Sequence, residues 1–416
     1  MPSIQISRRQ VLQQASIFAS LGLTVPSFLD VTAKALESQA SGARSERILV
    51  LVQLAGGNDG LNTLVPYADD VYYRARPKLG IPKNDVHRID DYAGFHPEMY
   101  AIKDLWDEGL LSVVQNVGYP NPDRSHFRST EIWETGSPSD ENWTSGWLGR
   151  YFDNECGGDA SPLLALQFGD RAAQTFSGKR QRCVTLSNPD LFQFSGGDTI
   201  KQDLKRLHSI PENDHVSKIG NPTLDFMRRT GNDMLHASQL IVDAVKTQKT
   251  TTEYLPFQFS QSLKMIAQMI AAEVPTRVFY VSLTGFDHHA TQSMRHATLL
   301  QELSEGLSSF VTDLKQLGCL DRTLVMTFSE FGRRVAENQS EGTDHGTANM
   351  MFVAGGTSKA GLHGARPDLS ALDPVGDLVH AIDFRSIYAS VLSQWLGADP
   401  GLVMGSEVSP IPGLLV

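Results

Sequence analysis

The stretch LTGFDHHATQ, Leu283 to Gln292, sets Asp287, His288 and His289 side by side directly after an apolar run. Histidine is scarce, 12 in 416 residues, so two adjacent imidazoles beside a carboxylate call for a reason. A strand end has no use for them, whereas a divalent cation takes imidazole nitrogen and carboxylate oxygen as ligands. Adjacent side chains diverge, so on an extended backbone Asp287 and His289 project together and His288 is left to structure or solvent. Similar donors recur as Asp59 in GGNDG, Glu330 in SEFGRR, and Asp344 with His345 in GTDHGT. Each has a bland reading: Asp59 as a turn former, Asp344 as a turn cap, Glu330 as the ion-pair partner of Arg333 or Arg334. Together, Asp59, Asp287, His289, Glu330, Asp344 and His345 suit zinc or another divalent ion, with a position open for water or substrate. Two ions about 3.5–4 Å apart would clamp the attacking and leaving oxygens of a displacement.

Such a displacement needs a nucleophile. NPDRSHFRSTEIWETG, Asn121 to Gly136, reads as a loop entering a helix, with Ser125 near the helix start. Unpaired N–H groups and the helix dipole favour an anion there. Arg128, one turn on, is suited to the oxygens of a phosphate or sulfate. His126 is placed to orient a group or touch a metal. Taken by itself, the stretch reads more simply, with Ser125 as a helix cap.

The elements that must carry these residues alternate between strand and helix. Ile48 to Leu54 is a near-continuous apolar strand, the pattern of a strand covered on both faces. A helix around Met99 to Asp107 and a strand over Leu110 to Val117 follow. Further strands are expected at Arg277 to Leu283, Thr323 to Ser329 and Met350 to Ala354. Between them Leu299, Leu300, Leu303, Leu307, Phe310, Val311, Leu314 and Leu317 recur at helical spacing. A last helix starts after Asp383, an N-cap, and ends before Gly397. The expected fold is α/β, a largely parallel sheet with helices on both faces, ligands lying beyond the carboxyl ends of the strands. Residues 200–251, charged and poor in strand signal, read as a helical insertion, so 36–416 is expected to form a single domain.

The first 35 residues read as an export leader. Arg8 and Arg9 precede a weakly apolar run, and Ala33-Lys34-Ala35 is a small-x-small cleavage signal, an order that points to the twin-arginine route. Removing Arg8, Arg9, Lys34 and Asp30 takes away three positive charges and one negative, moving the net charge from -11 to about -13. So acidic a body argues against a nucleic-acid partner, and no later stretch is long and apolar enough to span a bilayer. The expected location is the periplasm or the cell exterior. Three cysteines make no disulfide framework; if one bridge forms, the pair is Cys156 with Cys183. The absence of a Gly-x-Ser-x-Gly elbow and of phosphate-cradling glycine loops argues against a metal-free serine hydrolase and against nucleotide cofactors.

With these residues in view, the chain resembles the alkaline phosphatase superfamily, and within it a group of twin-arginine-exported bacterial proteins described only as a domain of unknown function. NDGLNT is similar to the superfamily's first metal-binding Asp-Gly loop, which implies that role for Asp59. DRSHFRSTEIWETG is similar to the nucleophile helix through Trp133-Glu134-Thr135-Gly136, which implies Ser125 as nucleophile, although the spacing is one residue longer and Arg124 follows Asp123. GFDHHA resembles the Asp-and-His loop of one metal site, and TDHGTANMMFVAGG the last metal histidine, His345, and its strand. SEFGR stands where the superfamily has an Asp-His pair: Glu330 replaces the carboxylate, while Phe331 cannot replace the imidazole. The resemblance implies an exported hydrolase of phosphate or sulfate esters, small or polymer-borne. Asp287, His289 and His345 would hold one ion, and Asp59 and Glu330, with His126 or Asp344, a second; Arg128 would position the anion. Phe331 supports a rival expectation, a metal-stabilised exported protein that binds without catalysis.

Overall fold

β1 (Ile48–Ala55) is apolar at almost every position because both of its faces are covered. Leu49 and Leu51 enter one core while Val50, Val52 and Leu54 enter the other, the period-two alternation of a strand between two helical layers. The computed structural model describes residues 47–156, 163–169, 171–179, 183–186, 240–405 and 408–416. The expected leader lies outside the described residues, as does 200–239 of the expected insertion; of its remainder, 240–247 are helical.

Around β1 the sheet is built from β2 (Leu111–Gly118), β3 (Ala165–Phe168), β4 (Cys183–Leu186), β5 (Val278–Thr284), β6 (Thr323–Phe328), β7 (Asn349–Gly355), β8 (Gly361–His363) and β9 (Ile382–Asp383). Their order is β8-β2-β7-β6-β1-β5-β3-β4, with β9 also pairing β2. Every pairing is parallel except those of β7, which runs antiparallel to both β2 and β6. The largely parallel sheet is as the sequence led one to expect. The reversal of β7 matters for the site, because it places the amino end of β7 at the rim where the other strands present their carboxyl ends.

Helices cover both faces. On one side lie α1 (Tyr100–Asp107), α4 (Gln258–Ala271) and α5 (Gln292–Gln316), contributing Ile102, Leu263 and Leu303 to one core. On the other lie α2 (His126–Thr135), α3 (Trp147–Glu155) and α6 (Phe384–Ser390), contributing Trp133, Tyr151 and Ile387 to the second. α5 begins more than a turn before its leucine stripe, because the inward residues of its first turns, Gln292 and His296, are polar and buried. Asp383 caps α6 as expected, accepting the Arg385 N–H at 3.0 Å. No helix among the described residues is long and apolar enough to cross a membrane.

The core on the α2 side is held by stacked rings. Trp133, 1% exposed, lies with its ring centroid 4.2 Å from that of Phe384 and 5.7 Å from that of Phe328. Replacing Trp133 with alanine is expected to cost about 3–5 kcal/mol, because a cavity forms between sheet and α6. A lowered urea midpoint with unchanged helix signal checks this, and a shift under about 1 kcal/mol contradicts it.

Candidate functional site

Five chain segments reach the same rim. β1 leads into Gly56-Gly57, β5 into Gly285 to His289, and β6 into Ser329-Glu330, while β7 is entered from Asp344-His345. The loop after β2 ends at Ser125 and delivers His126 in the first turn of α2. Gly56, at φ +118°, lets the first two loops touch: a Cβ there would lie 2.5 Å from the Asp287 amide nitrogen.

Asp287, His289 and His345 are brought together. His289 Nε2 lies 3.0 Å from Asp287 Oδ1, His345 Nε2 lies 3.3 Å from the same oxygen, and the two Nε2 atoms are 2.9 Å apart. His126 joins them, its Nε2 3.4 Å from Asp287 Oδ2. His288 turns the other way and is buried near His296. His126, Asp287 and His345 each offer a donor atom within 4.8 Å of the others.

What orients the rings lies behind them. His126 Nδ1 is 2.8 Å from Glu330 Oε1, His289 Nδ1 is 3.1 Å from Asp344 Oδ1, and His345 Nδ1 is 2.7 Å from the Arg124 carbonyl. Carbonyl and carboxylate oxygens only accept, so each Nδ1 carries the proton and each Nε2 presents a lone pair. The site therefore points three nitrogen lone pairs and a carboxylate at one spot. His126 Nε2 is buried with no hydrogen-bond partner. Such an array repels itself unless a proton on one imidazole or a bound cation sits within it. The separations among Asp287 Oδ1, His289 Nε2 and His345 Nε2, 2.9–3.3 Å, are near the roughly 3.3 Å edge of a tetrahedron with metal–ligand bonds of about 2.0–2.1 Å, and His126 Nε2 meets the other Asp287 oxygen at 3.4 Å.

The local charges act on the two rings in opposite directions. The Glu330 hydrogen bond raises the pKa of His126 and so favours its protonated form, whereas burial lowers that of His345 and favours the neutral ring. Burial alone would raise the Asp287 carboxyl, but Arg333, at 2.7 Å, outweighs it and holds the group down at about 2. The pairing of Glu330 with Arg333 or Arg334 is not what forms. Glu330 instead accepts from His126 and, at 2.8 Å, from the Gly56 N–H. Arg333 is the site residue that sequence reasoning undervalued, having appeared there only as a neutraliser of Glu330.

The structure places the other expected residues elsewhere or in other positions. Glu330 and Asp344 stand behind the imidazoles rather than among the converging atoms. Arg128 turns away, pairing with Glu131 at 3.0 Å and donating to the Ser139 and Glu141 carbonyls. Ser125 is exposed at the N-cap position of α2, yet its hydroxyl makes no capping bond. Phe331, 1% exposed, packs 4.9 Å from the His126 ring and 4.7 Å from the His345 ring.

Over residues 112–395, most of this rim and both cores, the chain matches the family model described as "Protein of unknown function (DUF1501)". The chain belongs to that family. No curated protein matches it. Among solved structures it is similar to the PsFucS1 sulfatase from Pseudoalteromonas sp. at 13% identity, over 95% of this chain and 77% of that one, with a TM-score of 0.41. It is similar to the zinc-complexed C-terminal periplasmic domain of EcEptC from Escherichia coli at 12% identity, over 76% and 74%, with a TM-score of 0.34. A protein in the alkaline phosphatase superfamily from Vibrio parahaemolyticus aligns at 9% identity over 77% and 63%, with a TM-score of 0.33. No activity is carried over on likenesses this low.

Asp59 belongs to a different, closed network. It is 2% exposed, pairs with Arg76 at 2.6 Å, and accepts from Gln292. His296 and His96 lie nearby, and burial lowers their pKa values to about 3 and about 4, so both are neutral near pH 7. Burial would raise Asp59, but the Arg76 charge and hydrogen bond lower it below the ordinary 3.8. The pair's contribution is thus fully present above that value and lost as pH falls through the lower folded one. In Arg76→Met the buried carboxylate stands unpaired, and a loss of about 3–5 kcal/mol is expected near neutrality. Because burial then raises Asp59, part of that loss should return in urea melts at mildly acidic pH. An Arg76→Met protein as stable as wild type at neutral pH contradicts the pairing.

Proposed function

We propose that His126, Asp287, His289 and His345 bind one divalent cation, with zinc the best match to three imidazoles and a carboxylate. We further propose that the chain is an exported hydrolase of phosphate or sulfate esters. The observation that carries the reading is the convergence of three Nε2 atoms whose Nδ1 partners are all acceptors. This is the arrangement that fixes tautomer and ring orientation in metal sites. A cation held there supplies Lewis-acid polarisation of an ester oxygen and lowers the pKa of a bound water.

The chain's own groups then divide the work. Glu330, Asp344 and the Arg124 carbonyl hold the proton of each neutral imidazole at Nδ1, which turns Nε2 toward the ion. Arg333 keeps Asp287 ionised. Ser125, exposed and next in sequence to His126, is the proposed nucleophile, and the N-terminus of α2 is the proposed seat for the anionic group. Export by the twin-arginine route is part of the proposal and rests on Arg8, Arg9 and the small-x-small signal at 33–35.

A second reading, a metal-stabilised protein that binds without catalysis, is favoured by Arg128, which is occupied away from the cluster. Metal analysis of the purified protein and a panel of phosphate and sulfate esters separate the two. His289→Ala is expected to lose the ion and about 100-fold or more in kcat/KM. Glu330→Gln and Asp344→Asn should stay folded and bind the ion about 10–100-fold more weakly. Loss of turnover with the ion retained in Ser125→Ala supports the serine; undiminished turnover means that water attacks. An ion retained with no turnover on any ester selects the binding protein.

A further inference from the structure

One member of the imidazole cluster, His126, also lines a cleft of about 590 Å³ whose other walls, Glu330 apart, have no role above. His126 and Glu330 belong to its wall, and so do Gln53 of β1 and Tyr280 and Ser282 of β5. Clefts of 300–1,000 Å³ hold small organic ligands, so this one has room for the alcohol half of an ester whose anionic half sits at the cluster.

Its charges select against further anions. Four carboxyl side chains line it, Glu131, Glu134, Glu302 and Glu330, against one guanidinium, Arg171. Glu131 is offset by Arg128, whereas Glu330 meets His126, which donates to it as a neutral imidazole. Glu134 is 8% exposed and accepts the Gln174 N–H at 2.6 Å; burial lifts it to about 7, so near neutrality it both donates and accepts. What remains is a wall rich in hydroxyl-accepting carboxyl oxygens and poor in cations.

One aromatic ring also faces outward here. Phe127 follows His126 in the first turn of α2, lines the same cleft, and is 83% exposed. An exposed ring beside carboxyl acceptors matches the C–H face and hydroxyl rim of a polyol ring.

We propose that this cleft receives an uncharged, hydroxyl-rich ring alcohol packed against Phe127, so that the substrate carries its single anionic group at the imidazole cluster. The substrate class rests on the hydrolase reading; the binding surface does not.

The test uses the full-length, metal-loaded protein. For glucose 6-phosphate against glucose 1,6-bisphosphate, kcat/KM is expected to favour the first at least tenfold. Glu302→Lys should shrink that preference, and Phe127→Ala should raise KM for the ring ester while sparing kcat. Equal or better use of the bisphosphate by the wild type overturns the proposal. A second arm needs no turnover: saturation-transfer NMR with the neutral sugar maltotriose in the presence of a chelator. Transfer in the wild type and in His289→Ala, lost in Phe127→Ala, supports the cleft even if no ester is hydrolysed, in which case only the hydrolase reading falls. No transfer to the wild type overturns the inference.

Discussion

One buried guanidinium holds the rim together. Arg333 is 3% exposed and donates to the Gly57 carbonyl at 2.7 Å, the Thr343 carbonyl at 2.8 Å, the Phe286 carbonyl at 3.2 Å and the Gly56 carbonyl. Its remaining contact is Asp287 Oδ1 at 2.7 Å. The loops leaving β1 and β5 and the loop entering β7 therefore meet on one planar cation whose donors point in fixed directions. Loops at a sheet edge carry peptide groups that must be satisfied wherever they are buried. Arg333 satisfies four carbonyls at once and spends its charge on a carboxylate, so the position of Asp287 and the packing of the loops are one constraint.

The same chemistry yields two different polar clusters a short distance apart in the fold. Around Asp59, a carboxylate meets Arg76 in the interior, and the neighbouring histidines are neutral through burial. Charge is balanced there and nothing faces outward. Around Asp287 the supporting groups are buried or pinned, Glu330 being 2% exposed, while Asp287 and His289 are open to solvent. A closed network serves stability. An open one, with lone pairs held in place from behind, is built to accept something from solution.

This difference explains what the sequence discloses and what it hides. β1 and its neighbours are legible because a strand buried on both faces must be apolar throughout, and Asp287 with His289 is legible because extended backbone alternates. Nothing near Asp59 announces Arg76, since the pair closes across a loop rather than along a helix or strand period. Glu330 and Asp344 have the composition of ligands, and only geometry shows them one step further back. The start of α5 is hidden for a related reason: Gln292 and His296 face inward to serve the closed network, so the apolar stripe begins late. The reversal of β7 leaves no mark on its residues, although it decides that His345 arrives at this rim.

If the proposed site binds metal, charge and space bear on how many ions it would hold. A second ion about 3.5–4 Å from the first would need donors of its own. Asp59 is neutralised by Arg76, Glu330 accepts from Gly56 and His126 at Oε1 and from Ser329 at Oε2, and Phe331 puts hydrocarbon against two imidazoles. One dication together with Arg333 balances Asp287, Glu330 and Asp344 to zero net charge. A second dication would leave a half-buried site doubly positive, against the Phe331 ring, and its desolvation would go uncompensated. Phe331 is thus consistent with the charge balance of the whole rim, under which the proposed site would hold one ion rather than two.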